Sequence, residues 1–137
     1  MENYQRLNLD FYLQDTLTVA KQLLGKRFVR KIDDKILSGI IVETEAYIGA
    51  IDEASHSHRG MTNRNKIMWE RGGMLYVYQI YGMYYCMNVV TEQKDIAAAV
   101  LVRAIEPLEN LNDMATFRHI NINEKSKKFF LTSGPGR

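Results

Sequence analysis

The chain holds a single cysteine, Cys86, in 137 residues. No intrachain disulfide can form, and a reducing compartment suits it. No apolar run approaches the roughly 18–20 residues that a membrane-crossing helix needs, so no membrane partner is expected. The first residues carry Glu2 and Asp10 and lack the apolar stretch of a secretory signal. Charge of one sign is also scarce: 18 Lys and Arg stand against 16 Asp and Glu, a net of +2. No overall basic field announces a nucleic acid, although a local basic surface counts for more than the sum. The expected place is the cytoplasm, or the nucleoid if DNA is the partner. His56, His58 and the distant Cys86 offer no obvious fourth ligand, so a metal centre is weakly signalled. A histidine stacked on a flat ligand, or bonded within its loop, fits better.

Phenols, by contrast, are abundant in one place. Residues 76–85 contain five tyrosines: Tyr76, Tyr78, Tyr81, Tyr84 and Tyr85. A core does not need this, because each buried hydroxyl must find a partner. A second run, Val42-Glu43-Thr44-Glu45-Ala46-Tyr47, sets carboxylates beside a tyrosine. Dense aromatics, a carboxylate and scattered arginines suit a protein that stacks on a nucleobase and does chemistry beside it.

At this length one domain is expected. Asp15 can cap a helix carrying Leu17, Ala20, Leu23 and Leu24 on one face, with Gly25 ending it. Residues 27–32 and 35–45 alternate as two strands around Asp33-Asp34. Residues 49–73 form a long loop, a feature that in compact domains is usually functional. Residues 74–80 and 83–90 read as strands turning at Tyr81-Gly82, and 97–104 as a buried strand. Pro107 opens a helical segment to about His119, and 121–128 is a lysine-rich polar loop. The fold class is α+β: a curved antiparallel sheet flanked by helices.

Several residues carry chemistry in this pattern. Glu43 and Glu45, two apart on a strand, face the same way. Either is a candidate general base, and either is equally readable as a solvated strand end. A half-buried Glu45 needs a cation to stay ionised, and Arg103 in the apolar strand Ala97–Ala104 needs an anion or an exit to solvent. Arg59, Arg64, Lys66 and Arg71 lie in the long loop and could meet phosphates. Tyr81 at a hairpin tip would project a wedge into the space a flipped base vacates, unless it packs back on its sheet. Met83 and Met87 read as core.

Taken together these runs resemble the alkyladenine (3-methyladenine) DNA glycosylase family. The likeness rests on Leu23-Leu24-Gly25, Ile41–Gly49, Asp52–His56, Asn63-Arg64-Asn65, Leu75–Tyr78, Ile80–Met83, Cys86-Met87-Asn88, Val102-Arg103-Ala104 and Glu106-Pro107, in order and at matching spacing. It implies a monofunctional glycosylase that flips alkylated or deaminated purines (3-methyladenine, hypoxanthine, ethenoadenine) from duplex DNA and hydrolyses the N-glycosidic bond. No metal, cofactor or covalent lysine intermediate is implied. By the resemblance, Glu45 is the general base and Arg103 the arginine beside the attacking water. Tyr47, His56 and Tyr78 hold the flipped base, with Tyr76 near the pocket, and Asn88 crowds the exocyclic amino group of guanine. Tyr81 is the minor-groove wedge, accompanied on the DNA by Gly82 and Met83.

Ser133-Gly134-Pro135-Gly136-Arg137 matches the start of a family motif that several dozen residues follow. Residues 1–137 are therefore expected to form a single glycosylase-like domain truncated at its C-terminus. That ending would strip cover from leucines, tyrosines and the Ala97–Val102 strand, and self-association would bury the exposed surface. Two other readings stand beside the enzyme: a damaged-DNA-binding module that keeps the pocket without turnover, and an RNA- or nucleotide-binding domain with the same aromatic platform. Glu45 with Arg103 favours the enzyme, since a pure binder has no use for an anion near phosphates.

Overall fold

A computed structural model describes residues 4–123 and 130–132. Helix α1 is one short turn, Leu9–Tyr12, and α2 spans Thr16–Leu23. Five strands follow: β1 Arg27–Ile32, β2 Lys35–Tyr47, β3 Leu75–Ile80, β4 Tyr84–Thr91 and β5 Ala98–Glu109, with helix α3, Leu111–Arg118, after them. The strands make one antiparallel sheet in the order β1-β2-β5-β4-β3. The architecture is a single α+β domain, a curled sheet with helices.

Asp15 starts α2 by accepting from the Thr18 N–H at 3.0 Å. That cap is worth about 1 kcal/mol. The buried face of α2 is Thr16, Val19, Ala20 and Leu23; Ala20 and Leu23 face inward as expected, whereas Leu17 and Leu24 are exposed. The reason is polar. Thr16 bonds Thr91 Oγ1 at 2.9 Å and the Glu92 carboxylate, which turns that side of the helix inward. Val19, Ala20 and Leu23 then pack on Ile41, Val89 and Val100. A second cluster on the other sheet face holds Met68, Tyr76, Val90, Ala97 and Ala99.

Residues Ala97–Leu101 are all buried, so the strand expected to lack cover is covered. Exposed apolar side chains of the sheet include Leu75, Val77 and Tyr85 on the β3–β4 hairpin, and Val29, Ile36, Val42 and Leu108 on the other strands. Pro107 does not open a helix. It lies within β5, opposite Gly39. Two residues earlier the Ile105 N–H turns away from β2 to Thr132 O, and the Pro107 nitrogen shares that direction, so no β2 bond is lost. Gly39 is required beside it, because a Cβ there would stand 2.6 Å from Glu106 O. Met83, expected in the core, is exposed. Of the lysine-rich loop, residues 124–128 lie outside the described residues, as does the 133–137 motif.

Two features place the site. β4 and β5 pair only over Asn88–Thr91 and Ala98–Leu101, so they part beyond Leu101, where Arg103 follows. The loop 49–73 also folds back on the sheet, through short 3-10 turns at Gly49–Ile51 and Lys66–Trp69. Buried Ser57 donates to Ala97 O at 3.0 Å and pairs with Ser55 at 2.8 Å, which ties the loop to the start of β5.

Candidate active site

Strand registry builds the site. Glu45 lies opposite Leu101, Leu101 opposite Asn88, and Asn88 opposite Tyr76. Directly paired residues point to the same face of a sheet, so β2, β5, β4 and β3 each contribute one side chain to a single row. Tyr47 and Ala99 begin the next row. Tyr78 and Cys86 make a third.

At the β2 end, Arg103 Nη1 donates to Glu45 Oε1, and Arg103 Nε lies 3.0 Å from Glu43 Oε1. The second contact is an ion pair without hydrogen-bond alignment, and Nε is buried with no bond of its own. The two glutamates thus share one guanidinium, with Glu43 the more exposed, 56% against 37%. The Glu45 bond, helped by both carboxylate charges, holds Arg103 more firmly protonated. Tyr47 donates its hydroxyl to Glu45 Oε2 at 2.7 Å. Burial first, then that bond to an anion, pushes the Tyr47 phenol from 10.0 up to about 12. Glu45 therefore receives a cation on one oxygen and a phenol on the other.

At the β3 end the aromatics cluster. The His56 and Tyr78 rings are 4.4 Å apart between centroids, and Tyr76 and Tyr78 are 5.1 Å apart. His56 Nδ1 lies 3.0 Å from the buried Tyr76 hydroxyl. Burial of its inner edge, then the Arg64 charge, lower the His56 pKa and favour the neutral ring, although its outer side is exposed. Burial raises the Tyr76 and Tyr78 phenols. Asn88, also buried, spends one amide N–H on Tyr76 O at 3.2 Å. Tyr47, Ala54, His56, Met68, Tyr76, Tyr78 and Asn88 enclose a cavity of about 40 Å³. That is room for water, not for a fused bicyclic base. A roomier hollow of about 230 Å³ opens on the opposite side of β4, beside Tyr85 and Met87. Its lining is more apolar than polar and meets the ion pair only through Arg103; Glu45, Tyr47, His56 and Tyr78 do not line it.

The remaining candidates are spread out. Tyr81 is 84% exposed at the tip of the β3–β4 hairpin, with Met83 beside it. Its φ is +52°, a left-handed conformation rare for a bulky side chain, and Gly82 follows at +69°. Arg59, Lys66 and Arg71 are exposed, and Arg59 lines a polar bowl with His58 and Arg64. Arg64 is committed within the protein: it donates to Gln79 O at 2.8 Å, and its guanidinium sits 5.6 Å from the Tyr78 ring centre. His58 donates Nδ1–H to Ala50 O at 2.8 Å. Among the described residues no group of three or more His, Cys, Asp or Glu is arranged to hold a metal, and no helix is long and apolar enough to cross a membrane.

One residue to which sequence reasoning assigned no role is Asn65, only 5% exposed. Its amide donates to His56 O at 3.0 Å and Gly60 O at 3.1 Å, while its oxygen accepts from Thr62. The available signal was an asparagine in a long loop with several backbone groups to satisfy.

A curled antiparallel sheet in a single α+β domain seats a carboxylate–arginine–phenol set beside an aromatic cleft. Comparison with known proteins gives the family. The profile of methylpurine-DNA glycosylase (MPG) matches residues 10–137, and the chain belongs to that family. A Clostridium perfringens protein carrying the name "Putative 3-methyladenine DNA glycosylase" is 53% identical over 137 residues, covering 96% of this chain and 66% of its own length. Proteins of the same name from Clostridium novyi and Alkaliphilus oremlandii are 49% and 51% identical, with 68% and 67% of their lengths covered. The chain spans about two thirds of the length of these relatives.

Proposed function

We propose that this chain carries the base-release site of a DNA repair glycosylase for alkylated purines. The observation that carries the reading is the cross-strand row. It sets the paired carboxylate of Glu45 a few residues from the aromatic cleft of Tyr47, His56, Tyr76 and Tyr78. A flipped purine enters between Tyr47 and the His56–Tyr78 pair, which must part to admit it. An N3-methylated adenine is cationic, and aromatic faces favour a flat cation by roughly 0.5–2 kcal/mol per contact.

Water then attacks the anomeric carbon, and the N-glycosidic bond breaks with its electron pair passing to the base. Glu45 takes the water proton and its charge offsets the developing oxocarbenium. Arg103 and Tyr47 hold the carboxylate in place. A cationic base leaves neutral. Hypoxanthine or ethenoadenine needs a proton on the ring as it leaves. Asn88 crowds the amino group that distinguishes guanine, which is exclusion rather than attraction. Tyr81 fills the vacated stack, and exposed Met83 sits beside it. Arg59 and Lys66 provide loop cations for phosphates. A DNA substrate puts the protein in the cytoplasm with the nucleoid.

The test is incubation of the purified chain with duplex containing hypoxanthine or ethenoadenine, followed by heating in alkali. Strand breaks at the lesion support base release. A gel shift without breaks supports a damaged-DNA-binding module instead.

A further inference from the structure

Arg64 and Asn65 are neighbours in the chain, yet they reach opposite walls of the aromatic cleft. Asn65 is buried, and its amide hydrogens are spent on the backbone of His56 and Gly60. Arg64 crosses to β3, donates to Gln79 O and lies over the Tyr78 ring. The Gln79 carbonyl belongs to the sheet's edge strand, so this bond also satisfies an edge acceptor. One dipeptide therefore grips the His56 wall with one side chain and the Tyr78 wall with the other. Those two rings are 4.4 Å apart, and the cavity they help line, about 40 Å³, is too small for a base.

We propose that Arg64-Asn65 is a positioning brace that sets how far His56 and Tyr78 can part, and so decides which flat bases the cleft admits. Arg64 is then not a phosphate contact, although it is an exposed loop arginine. Its guanidinium is planar and forked, which suits one hydrogen bond plus a ring face better than a lysine ammonium would. The activity readouts of this inference rest on the purine-release reading; the spectroscopic one does not.

The experiment uses the whole chain as Arg64→Ala, Arg64→Lys and Asn65→Asp. The last keeps the acceptor for Thr62 but turns a donor pair into an acceptor facing two carbonyls. The first readout is ring-nitrogen NMR of His56, assigned by the loss of its signal in His56→Gln. The brace predicts shifted His56 signals in Arg64→Lys, which keeps the charge that acts on His56, as well as in Arg64→Ala and Asn65→Asp, with His119 unmoved as the internal control. The second is lesion-duplex binding against salt. If Arg64 met a phosphate, Arg64→Ala would lower the salt slope by about one, whereas the brace predicts the parent slope. The third is excision of hypoxanthine against the bulkier ethenoadenine. The brace predicts a changed ratio between the two, carried by KM more than kcat, with Arg64→Lys restoring it only in part.

Unmoved His56 signals together with a lower slope and an unchanged ratio overturn the brace and make Arg64 a phosphate ligand. If the parent chain releases no base, the purine-release reading fails and the His56 signals alone still decide the brace. If Asn65→Asp does not fold, the two Arg64 variants, which alter an exposed side chain, decide it.

Discussion

Tyr47 shows how a single residue depends on its neighbours. Its hydroxyl faces a carboxylate, and burial with that bond holds the phenol up to about 12 from 10.0. The folded chain therefore keeps this proton more tightly than the unfolded chain does. The resulting stability is fully present below pH 10 and is lost as pH rises through the folded value. Tyr47→Phe should remove that part of the alkaline loss. Chemical denaturation at steps between pH 9 and about pH 12 should show the parent falling more steeply than Tyr47→Phe. Parallel curves would mean that Tyr47 titrates as an ordinary phenol. The ring itself was plain in the sequence, beside two glutamates. That Glu43 and Glu45 would share one arginine followed only in outline from strand alternation. The asymmetry between them was invisible, because it comes from irregular β2–β5 pairing at Glu43 and Thr44, which spacing does not encode.

At the scale of the element, the β3–β4 hairpin is the most telling. Tyr81 is strained and exposed, and no packing of its own ring offsets the left-handed backbone. Such outliers cost of order 1–3 kcal/mol and cluster at working sites. The proposed wedge role gives that cost a use. Flipping costs a few kcal/mol, and base–aromatic stacking returns about 1–3 kcal/mol. Tyr81→Ser should therefore weaken excision of a lesion in duplex DNA by roughly 5- to 150-fold, which is that stacking energy expressed as a rate ratio. A lesion in single-stranded DNA should be much less affected. Thermal unfolding should change by no more than about 0.5 kcal/mol, as for other exposed positions. Equal loss on both substrates, or a large drop in melting temperature, would place the ring in the core and end the wedge reading. Tight turn chemistry made this hairpin legible. The end of β5 was not, because a proline normally argues against a strand interior, and only the pairing direction at Ile105 shows why Pro107 is tolerated. The α2 face was legible at Ala20 and Leu23 but not at its edges: Thr16 is buried with hydrogen bonds to Thr91 and Glu92, which no hydrophobic period reports.

At the scale of the whole molecule, the site exists because four strands align one residue each. Glu45, Leu101, Asn88 and Tyr76 are up to 56 residues apart in the chain and adjacent across the sheet. Runs of residues revealed the participants, but strand order and register are tertiary facts set by packing. Asn65, quoted within a motif, was given no role for the same reason, since its partners belong to a loop folded back on itself. The central claim is that this row delivers one carboxylate, Glu45, as the base for water. Single-turnover release of hypoxanthine from duplex DNA, measured beside lesion-duplex binding for the parent, Glu45→Gln and Glu43→Gln, tests it most directly. General-base loss costs about 10²- to 10⁴-fold. Glu45→Gln should fall by that order while binding holds, because the shape and the Tyr47 and Arg103 neighbours remain, and Glu43→Gln should fall far less. Substantial release by Glu45→Gln, or a larger loss in Glu43→Gln, would contradict the account.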